Sequence, residues 1–311
     1  MQCPICGNGN LGPLADGLRN SPGKVFHCAL CDLGILDVLV GDPKEYYDHY
    51  YRKKFSDCLK NPSDDPARIF AAHANSQADR LSLVAPFAGP GKTLLEVGCS
   101  AGQFLNLARD LFECQGLELN ERCAAYVRER FGLPVHTREL TGLGLAAESF
   151  DAVVAFQVLE HLPDPAVFLR EARRLLRPGG RIFIEVPNLH DALRVLWRIP
   201  AYRKFYFHEA HTFYFSRASL EKLFDLCELT VERIHFLQDY NVFNHVYWHF
   251  TNAPQPNSAF GLAPPRFPWE EAHAVVGRRI NALFETFDRD YKALLAEAGL
   301  ASNIFCVVRR D

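Results

Sequence analysis

The chain has 311 residues, 48% of them hydrophobic, and a net charge of −3 with histidines neutral. That composition supports one large domain plus a small appendage around a sizeable core, and it excludes a disordered polymer. The acidic balance lacks the basic footprint of a nucleic-acid binder, no apolar run approaches bilayer-spanning length, and with no basic-then-apolar opening segment a soluble, cytoplasmic protein is expected.

In chain order, residues 1–40 read as a small metal-held module. Cys3-Pro4-Ile5-Cys6 and Cys28-Ala29-Leu30-Cys31 are two C-x-x-C knuckles separated by 21 residues. Each can present two thiolates to one tetrahedral Zn²⁺ at about 2.3 Å. Four thiolates leave no open coordination position, so the role expected of the zinc is structural. The remaining six of the ten cysteines are scattered through predicted strands and helices, where a free thiol behaves as a small hydrophobe. Residues 41–85 are Tyr-rich at 46–51, then polar, and predict short helices and a connector. From 86 to 311 the texture is that of one larger domain, with 241–298 as an insertion.

Strands are predicted at 93–98, 114–119, 135–138, 150–156 and 181–186, with helices at 102–111, 121–131 and 165–177 between them. This β-α-β rhythm predicts a parallel sheet covered on both faces. Arg177-Pro178-Gly179-Gly180 stops the third helix. Ser216 is an N-cap candidate for a helix that points Leu220, Leu223, Phe224 and Cys227 inward. A strand follows at 229–236, then an irregular Pro- and Asn-rich stretch at 241–268. A long helix is expected at 270–297. Its stripe of Val276, Ile280, Leu283, Phe287, Tyr291 and Leu294 is broad enough to bury against the core; a substrate lid or a dimer contact are the other uses open to it. The last strand is 303–308.

Chemistry is expected at the run Leu94-Leu95-Glu96-Val97-Gly98-Cys99-Ser100-Ala101-Gly102, a buried strand ending in a small-residue turn that opens a helix. Small residues at Gly98, Ser100 and Gly102 would let main chain approach a ligand closely. A dinucleotide fingerprint would place glycine at 98, 100 and 103, whereas Ser100 and Gln103 stand here. Glu96 suits a site that tolerates positive charge. Glu118, ending the next strand, can accept hydrogen bonds from a ribose diol, with Leu119 against an adenine face and Glu139 near its amino group.

The pattern E-x-G-x-S-x-G resembles the first motif of class I S-adenosylmethionine-dependent methyltransferases. The segment Phe156-Gln157-Val158-Leu159-Glu160-His161-Leu162-Pro163-Asp164-Pro165, with Leu175 to Gly180 and Ile184-Glu185-Val186-Pro187-Asn188, resembles the middle of ubiquinone-biosynthesis-type and sugar-modifying methyltransferases. The resemblance covers about 90–236. It implies a Rossmann-like, seven-stranded, mostly parallel sheet whose last strand is antiparallel. It also implies S-adenosylmethionine bound by Glu96, Gly98, Ser100, Gly102, Glu118, Leu119, Glu139 and Gln157. An N-terminal zinc ribbon before such a core resembles the zinc-containing C-methyltransferases of nucleotide-linked deoxysugars and related polysaccharide-cluster enzymes. In those a Tyr-rich segment helps form the substrate pocket, which singles out Tyr47.

The same resemblance makes His211, in His211-Thr212-Phe213-Tyr214-Phe215-Ser216, the match to the proposed base. Those enzymes place Glu immediately before it; here Ala210 stands there and Glu209 one position earlier, which leaves O-methylation open beside C-methylation. His161 is a second base or a pocket-lining hydrogen-bonding group. The acceptor implied is a small hydroxylated molecule, a sugar or nucleotide-sugar, and the chain could form a homodimer. Two other readings stand beside it: a zinc-ribbon RNA methyltransferase, which would need a positive stripe for phosphates, and a non-catalytic adenosylmethionine-binding protein.

Overall fold

A computed structural model describes residues 1–19, 21–37, 65–256, 259–264 and 266–310. Tyr47 and the rest of the Tyr-rich run therefore lie outside the described residues. Two sheets organise the chain. The larger has seven strands: β4 (Thr93–Val97), β5 (Glu113–Leu117), β6 (Val135–His136), β7 (Phe150–Phe156), β8 (Leu176–Pro187), β10 (Thr230–Leu237) and β11 (Asn303–Arg309). Their spatial order is β10-β11-β8-β7-β4-β5-β6. β4 pairs in parallel with both β5 and β7, and β7 with β8. β11 runs antiparallel between β8 and β10. The inner strands are largely apolar, as strands covered on both faces tend to be, with Glu96 in β4 and Glu185 in β8 as buried exceptions. In β4 every residue from Leu94 to Val97 is buried.

The helices that cover this sheet begin where the sequence places their caps. α1 (Pro66–His73) and α2 (Ala78–Val84) precede β4, and α3 (Gln103–Ala108) follows it. α4 (Glu121–Phe131) starts at Asn120, whose side chain accepts from the Cys123 amide, and ends on left-handed Gly132. α5 (Pro165–Leu175) is capped by Asp164, which accepts from the amides of Ala166 and Val167. It stops two residues earlier than the sequence predicts. Pro178 disfavours helical geometry at Arg177, and Leu176 already pairs with Phe150 as the first residue of β8. Two short helices follow β8, α6 (Ala192–Val195) and α7 (Pro200–Tyr206). α8 (Arg217–Leu226) has Ser216 and Ser219 in a reciprocal capping box. Its Leu220, Leu223 and Phe224, with Cys227 after it, are buried as expected.

The smaller sheet is four-stranded, in the order β1 (Gly12–Leu18), β2 (Ser21–Cys28), β3 (Leu33–Leu36), β9 (Phe213–Tyr214). Its fourth strand comes from the far part of the chain, with Ile35 paired to Phe213 and Gly34 to Tyr214. Cys3, Leu33 and Ile35 share one hydrophobic cluster with Phe213, Phe215 and the sheet residues Val153 and Ile184. The Lys222 ammonium, from α8, donates to the Leu30 carbonyl between the cysteines of the second knuckle.

Two expectations for the C-terminal part are overturned. Residues 241–268 are not irregular throughout. They hold α9 (Val242–Thr251) and the short α10 (Ala259–Leu262). Asn241 caps α9 by accepting from the Asn244 amide, and Val242, His245 and Trp248 face inward at helical spacing; a composition-based reading overlooks one such amphipathic stretch. The long helix forms as α11 (Ala274–Glu297), but the stripe expected to be buried is largely outside. Val276, Ile280, Leu283, Phe287 and Leu294 are exposed, while Gly277, Asn281, Asp288 and Leu295 are buried. The buried polar positions are matched to partners: Asp288 accepts from the Val242 amide at 2.6 Å and Asn281 from the Phe267 amide at 3.0 Å. Hydrogen-bonding requirements, not hydrophobicity, choose the inward face. Among the described residues no helix is long and apolar enough to cross a membrane.

Candidate active site

The turn after β4 is built by main chain. The amides of Gly98 and Cys99 both donate to the Leu117 carbonyl, at 2.8 and 3.0 Å. One Glu118 oxygen accepts from the Ser100 amide and the other from the Asn120 amide, each at 2.8 Å. Turn and carboxylate thus lie on one edge of the sheet, as expected. A carboxylate has about four lone-pair directions, so Glu118 retains acceptor capacity after these two bonds. Leu119 is half-buried.

The reason for the small residues differs from the one inferred from sequence. Gly98 and Gly102 have φ of +75° and +82°, and Ser100 has +51°. A Cβ at Gly98 would come within 2.6 Å of Val158, and one at Gly102 within 2.8 Å of Val127. These glycines are required by backbone conformation and by packing against protein side chains, not only by room for a ligand.

Glu96 is buried near the end of β4, and one of its oxygens has no hydrogen-bond partner among the described residues. Burial pushes its carboxyl up to about 8, against the opposing pull of the Arg80 guanidinium. An orphaned buried acid of this kind is stabilised by a positively charged ligand beside it. Glu139 lies after β6 with its side chain exposed. The Gln157 side-chain nitrogen donates to Glu185 at 2.9 Å and to Asn303 at 3.2 Å.

The second half of the site follows β7. Val158, which packs on Gly98, is three residues before His161. The His161 Nδ1–H donates to the Ala210 carbonyl at 2.7 Å, which turns Nε2 toward Glu160. Glu160 Oε1 lies 3.8 Å from His161 Nε2 and 3.9 Å from His211 Nε2. The His161 and His211 rings meet edge to face at 4.7 Å, and the His208 and His211 rings are tilted by 52° with centroids 3.8 Å apart. Glu160 is 1% exposed, and neither of its oxygens has a hydrogen-bond partner among the described residues. Burial pushes its carboxyl up to about 8. Burial also holds His208 and His211 well below the usual imidazole range, with the neighbouring histidines adding to the effect on His211. Both rings are therefore held neutral at pH 7.

The structure thus brings His161 and His211 together, as the sequence reading of either as a base requires. It adds His208, Glu160 and Arg80, which that reading did not assign. Glu160 could have been noticed, being adjacent to His161. Arg80 gave no signal. Its guanidinium grips Glu185 through two bonds, Nε at 2.8 Å and Nη2 at 2.5 Å, and lies over the Phe156 ring. His208 and His211 are held in place by β9 and by the Tyr214 hydroxyl, which accepts from the His208 amide and donates to its carbonyl, both at 2.8 Å.

The thiols of Cys3, Cys6, Cys28 and Cys31 converge with all ligand atoms within 4.8 Å of one another, and Cys6 Sγ is 3.7 Å from Cys28 Sγ. Burial alone would raise the Cys28 thiol. The Cys31 amide, the Asn8 side chain and the neighbouring thiols outweigh it and bring Cys28 down to about 7.

Comparison with known proteins agrees with this geometry. A methyltransferase-domain family model matches residues 70–234, more than half of the chain. A probable S-adenosylmethionine-dependent methyltransferase of Mycolicibacterium smegmatis is 40% identical over 100 residues, covering 32% of this chain and 39% of that protein. The ubiquinone biosynthesis O-methyltransferase of Paramagnetospirillum magneticum is 39% identical over 118 residues, covering 36% and 45%. The chain thus spans under half the length of the curated relatives it matches. An Archaeoglobus fulgidus protein, solved as a SAM-dependent methyltransferase, shares the fold with a TM-score of 0.50 at 17% identity, over 78% of this chain and 96% of that one. With a family match over most of its seven-stranded sheet, the chain belongs to the methyltransferase-domain family.

Proposed function

We propose that the protein is an S-adenosylmethionine-dependent methyltransferase that methylates a small hydroxylated acceptor, a sugar or nucleotide-sugar, at oxygen or carbon. The observation that carries the acceptor side of this reading is the convergence of Glu160, His161, His208 and His211 beside the Gly98 turn. Bound S-adenosylmethionine would supply an electrophilic methyl group on a sulfonium. Glu118 would hold the ribose diol, the Gly98–Gly102 main chain the amino-acid portion, and the orphaned Glu96 oxygen the positive charge.

His211 would take the acceptor's proton on Nε2, with His161 turned to the same point by its bond to the Ala210 carbonyl. Glu160 offers a negative or shared-proton partner to whichever ring becomes charged. The sugar enzymes that the chain resembles carry Glu immediately before the histidine, where Ala210 stands here; Glu160, from the segment after β7, brings a carboxylate to within 3.9 Å of His211 instead. Cys3, Cys6, Cys28 and Cys31 would hold a structural zinc, whose contribution is to fix β3 and, through it, the histidine segment on β9.

Calorimetry with S-adenosylmethionine, followed by methyl-transfer assays over a panel of nucleotide-sugars, free sugars and catechol-type acceptors, tests the reading. Turnover on the sugar class with no turnover on the catechols is expected. Tight cofactor binding with no turnover on any acceptor would make the chain a binding protein instead.

A further inference from the structure

Glu160 has a requirement that no described residue meets. Its side chain is 1% exposed, and both carboxylate oxygens lack a hydrogen-bond partner among the described residues. Burial of a carboxylate in that state is costly unless a proton, a positive group or a metal ion joins it. Two ring nitrogens face it, His161 Nε2 at 3.8 Å and His211 Nε2 at 3.9 Å. These separations are too long for hydrogen bonds. They suit side chains that share one ion. The ligand atoms of Glu160, His161 and His211 all lie within 4.8 Å of one another. Atoms so spaced surround a point within a few tenths of an ångström of the metal–nitrogen and metal–oxygen lengths of about 2.0–2.2 Å. The other nitrogen of His161 is already committed, since its Nδ1–H donates to the Ala210 carbonyl at 2.7 Å. A metal-binding histidine is held in the same way, by a hydrogen bond that fixes the tautomer and aims the free lone pair. Glu160 and His161 share the short turn Leu159–His161 after β7, and His211 precedes β9 with its ring packed on His208.

We propose that Glu160 Oε1, His161 Nε2 and His211 Nε2 form a second metal site, distinct from the four thiols, for an exchangeable divalent cation of the first transition row. Two imidazoles and a carboxylate suit zinc, cobalt, nickel or ferrous iron, whereas magnesium and calcium take sets made of oxygen. Three protein ligands leave at least one coordination position to water, unlike the closed set of four cysteines. The surrounding charges favour reversible binding. Arg80, felt at Glu160, is bonded twice to Glu185, so that pair adds little net charge. Arg19, felt at His211, lies over the Phe205 ring and donates to the Phe205 carbonyl; its positive charge opposes a cation and lowers the affinity. One consequence rests on the function proposed above. The ion and the acceptor's proton compete for the same His211 lone pair, so a filled site stops methyl transfer until the ion leaves.

The full chain, first given one equivalent of zinc to fill the thiol site, is titrated with Co²⁺. Uptake of one cobalt per chain at micromolar concentration is expected, with d–d absorption and no thiolate charge-transfer band. X-ray absorption at the cobalt edge should show nitrogen and oxygen neighbours, outer-shell imidazole scattering and no sulfur. Glu160→Gln should weaken uptake by at least roughly 10–100-fold, the loss that follows even from removing a ligand's supporting partner. Should that variant misfold, the cobalt-edge spectrum of the wild type decides by itself. No cobalt uptake beyond the zinc, sulfur in the cobalt's first shell, or undiminished uptake by folded Glu160→Gln would overturn the proposal. Methyl transfer is read separately. Inhibition by Co²⁺ that a mild chelator reverses supports the competition at His211. Cobalt uptake with unchanged turnover keeps the metal site and removes His211 as the base, so the two readings fail independently.

Discussion

The two halves of the site are built by different means. On the Gly98 side the geometry comes from main-chain hydrogen bonds between residues about twenty apart, and Glu118 is fixed by two amides at 2.8 Å. On the histidine side the groups come from segments about fifty residues apart and hardly bond one another. They are placed by burial and by a strand, β9, that the N-terminal module recruits into its own sheet. The first half is pre-organised by backbone and tolerates change outside it. The second depends on distant packing, and its proton affinities follow from that packing rather than from direct hydrogen bonds.

Substitutions that separate binding from turnover break this comparison most sharply. His211→Ala should lower kcat by about 10²–10⁴-fold, the usual range for a general base, with cofactor affinity intact by calorimetry. Glu118→Ala should do the reverse, weakening cofactor binding by roughly 10–100-fold through lost charged hydrogen bonds. If each variant affects both quantities equally, the halves are not separable.

A smaller effect should come from the module. Cys28→Ser removes one of four converging thiols and loosens β3 against β9. Bound zinc should fall in elemental analysis, and kcat should drop more than cofactor affinity. An equal loss of both would mean the module supports the whole fold instead of the histidine side.

The smallest effect expected is on pH-dependent stability. Folding raises Glu96 and Glu160 from 4.5 to about 8, so the folded chain keeps protons that the unfolded chain releases. Their contribution is full below pH 4.5 and is lost as pH rises toward 8. Buried His208 and His211 act oppositely, but only below their unfolded value of 6.5, where the unfolded chain takes up protons that the folded rings refuse. Between pH 6.5 and 8 the histidines no longer oppose the carboxylates, and of the groups named here only the Cys28 thiol, brought down to about 7, acts against them. The melting temperature of the unliganded protein should therefore fall across that window, by the equivalent of about 1–3 kcal/mol. Adding S-adenosylmethionine should shrink the decline, because positive charge beside Glu96 favours its ionised form. A flat profile would remove Glu96 and Glu160 as buried neutral acids.

Much of the cofactor half could be read in the chain itself. The apolar run 94–97, the turn at 98–102 and the acid at 118 are near neighbours, and each states a local requirement. The two C-x-x-C knuckles were equally plain, because their spacing alone brings four sulfurs together. Where local pattern had to stand for tertiary environment, the reading failed. The stripe on α11 has the composition of a core face, yet Asn281 and Asp288 on the adjacent stripe have partners on the irregular segment around Phe267 and on α9, and they turn it outward.

The amino-acid sequence alone determined the order of strands and helices from β4 to β8, the main-chain turn with its acidic neighbour, and the four thiols, since each follows from conformational preferences or chemistry confined to a short stretch. Only the tertiary structure decided that Glu160 sits between two imidazoles with no hydrogen bond among the described residues, that β9 joins the N-terminal sheet, and which side of α11 meets water. Those outcomes depend on desolvation and on partners far away in the chain, and no short stretch of residues encodes either.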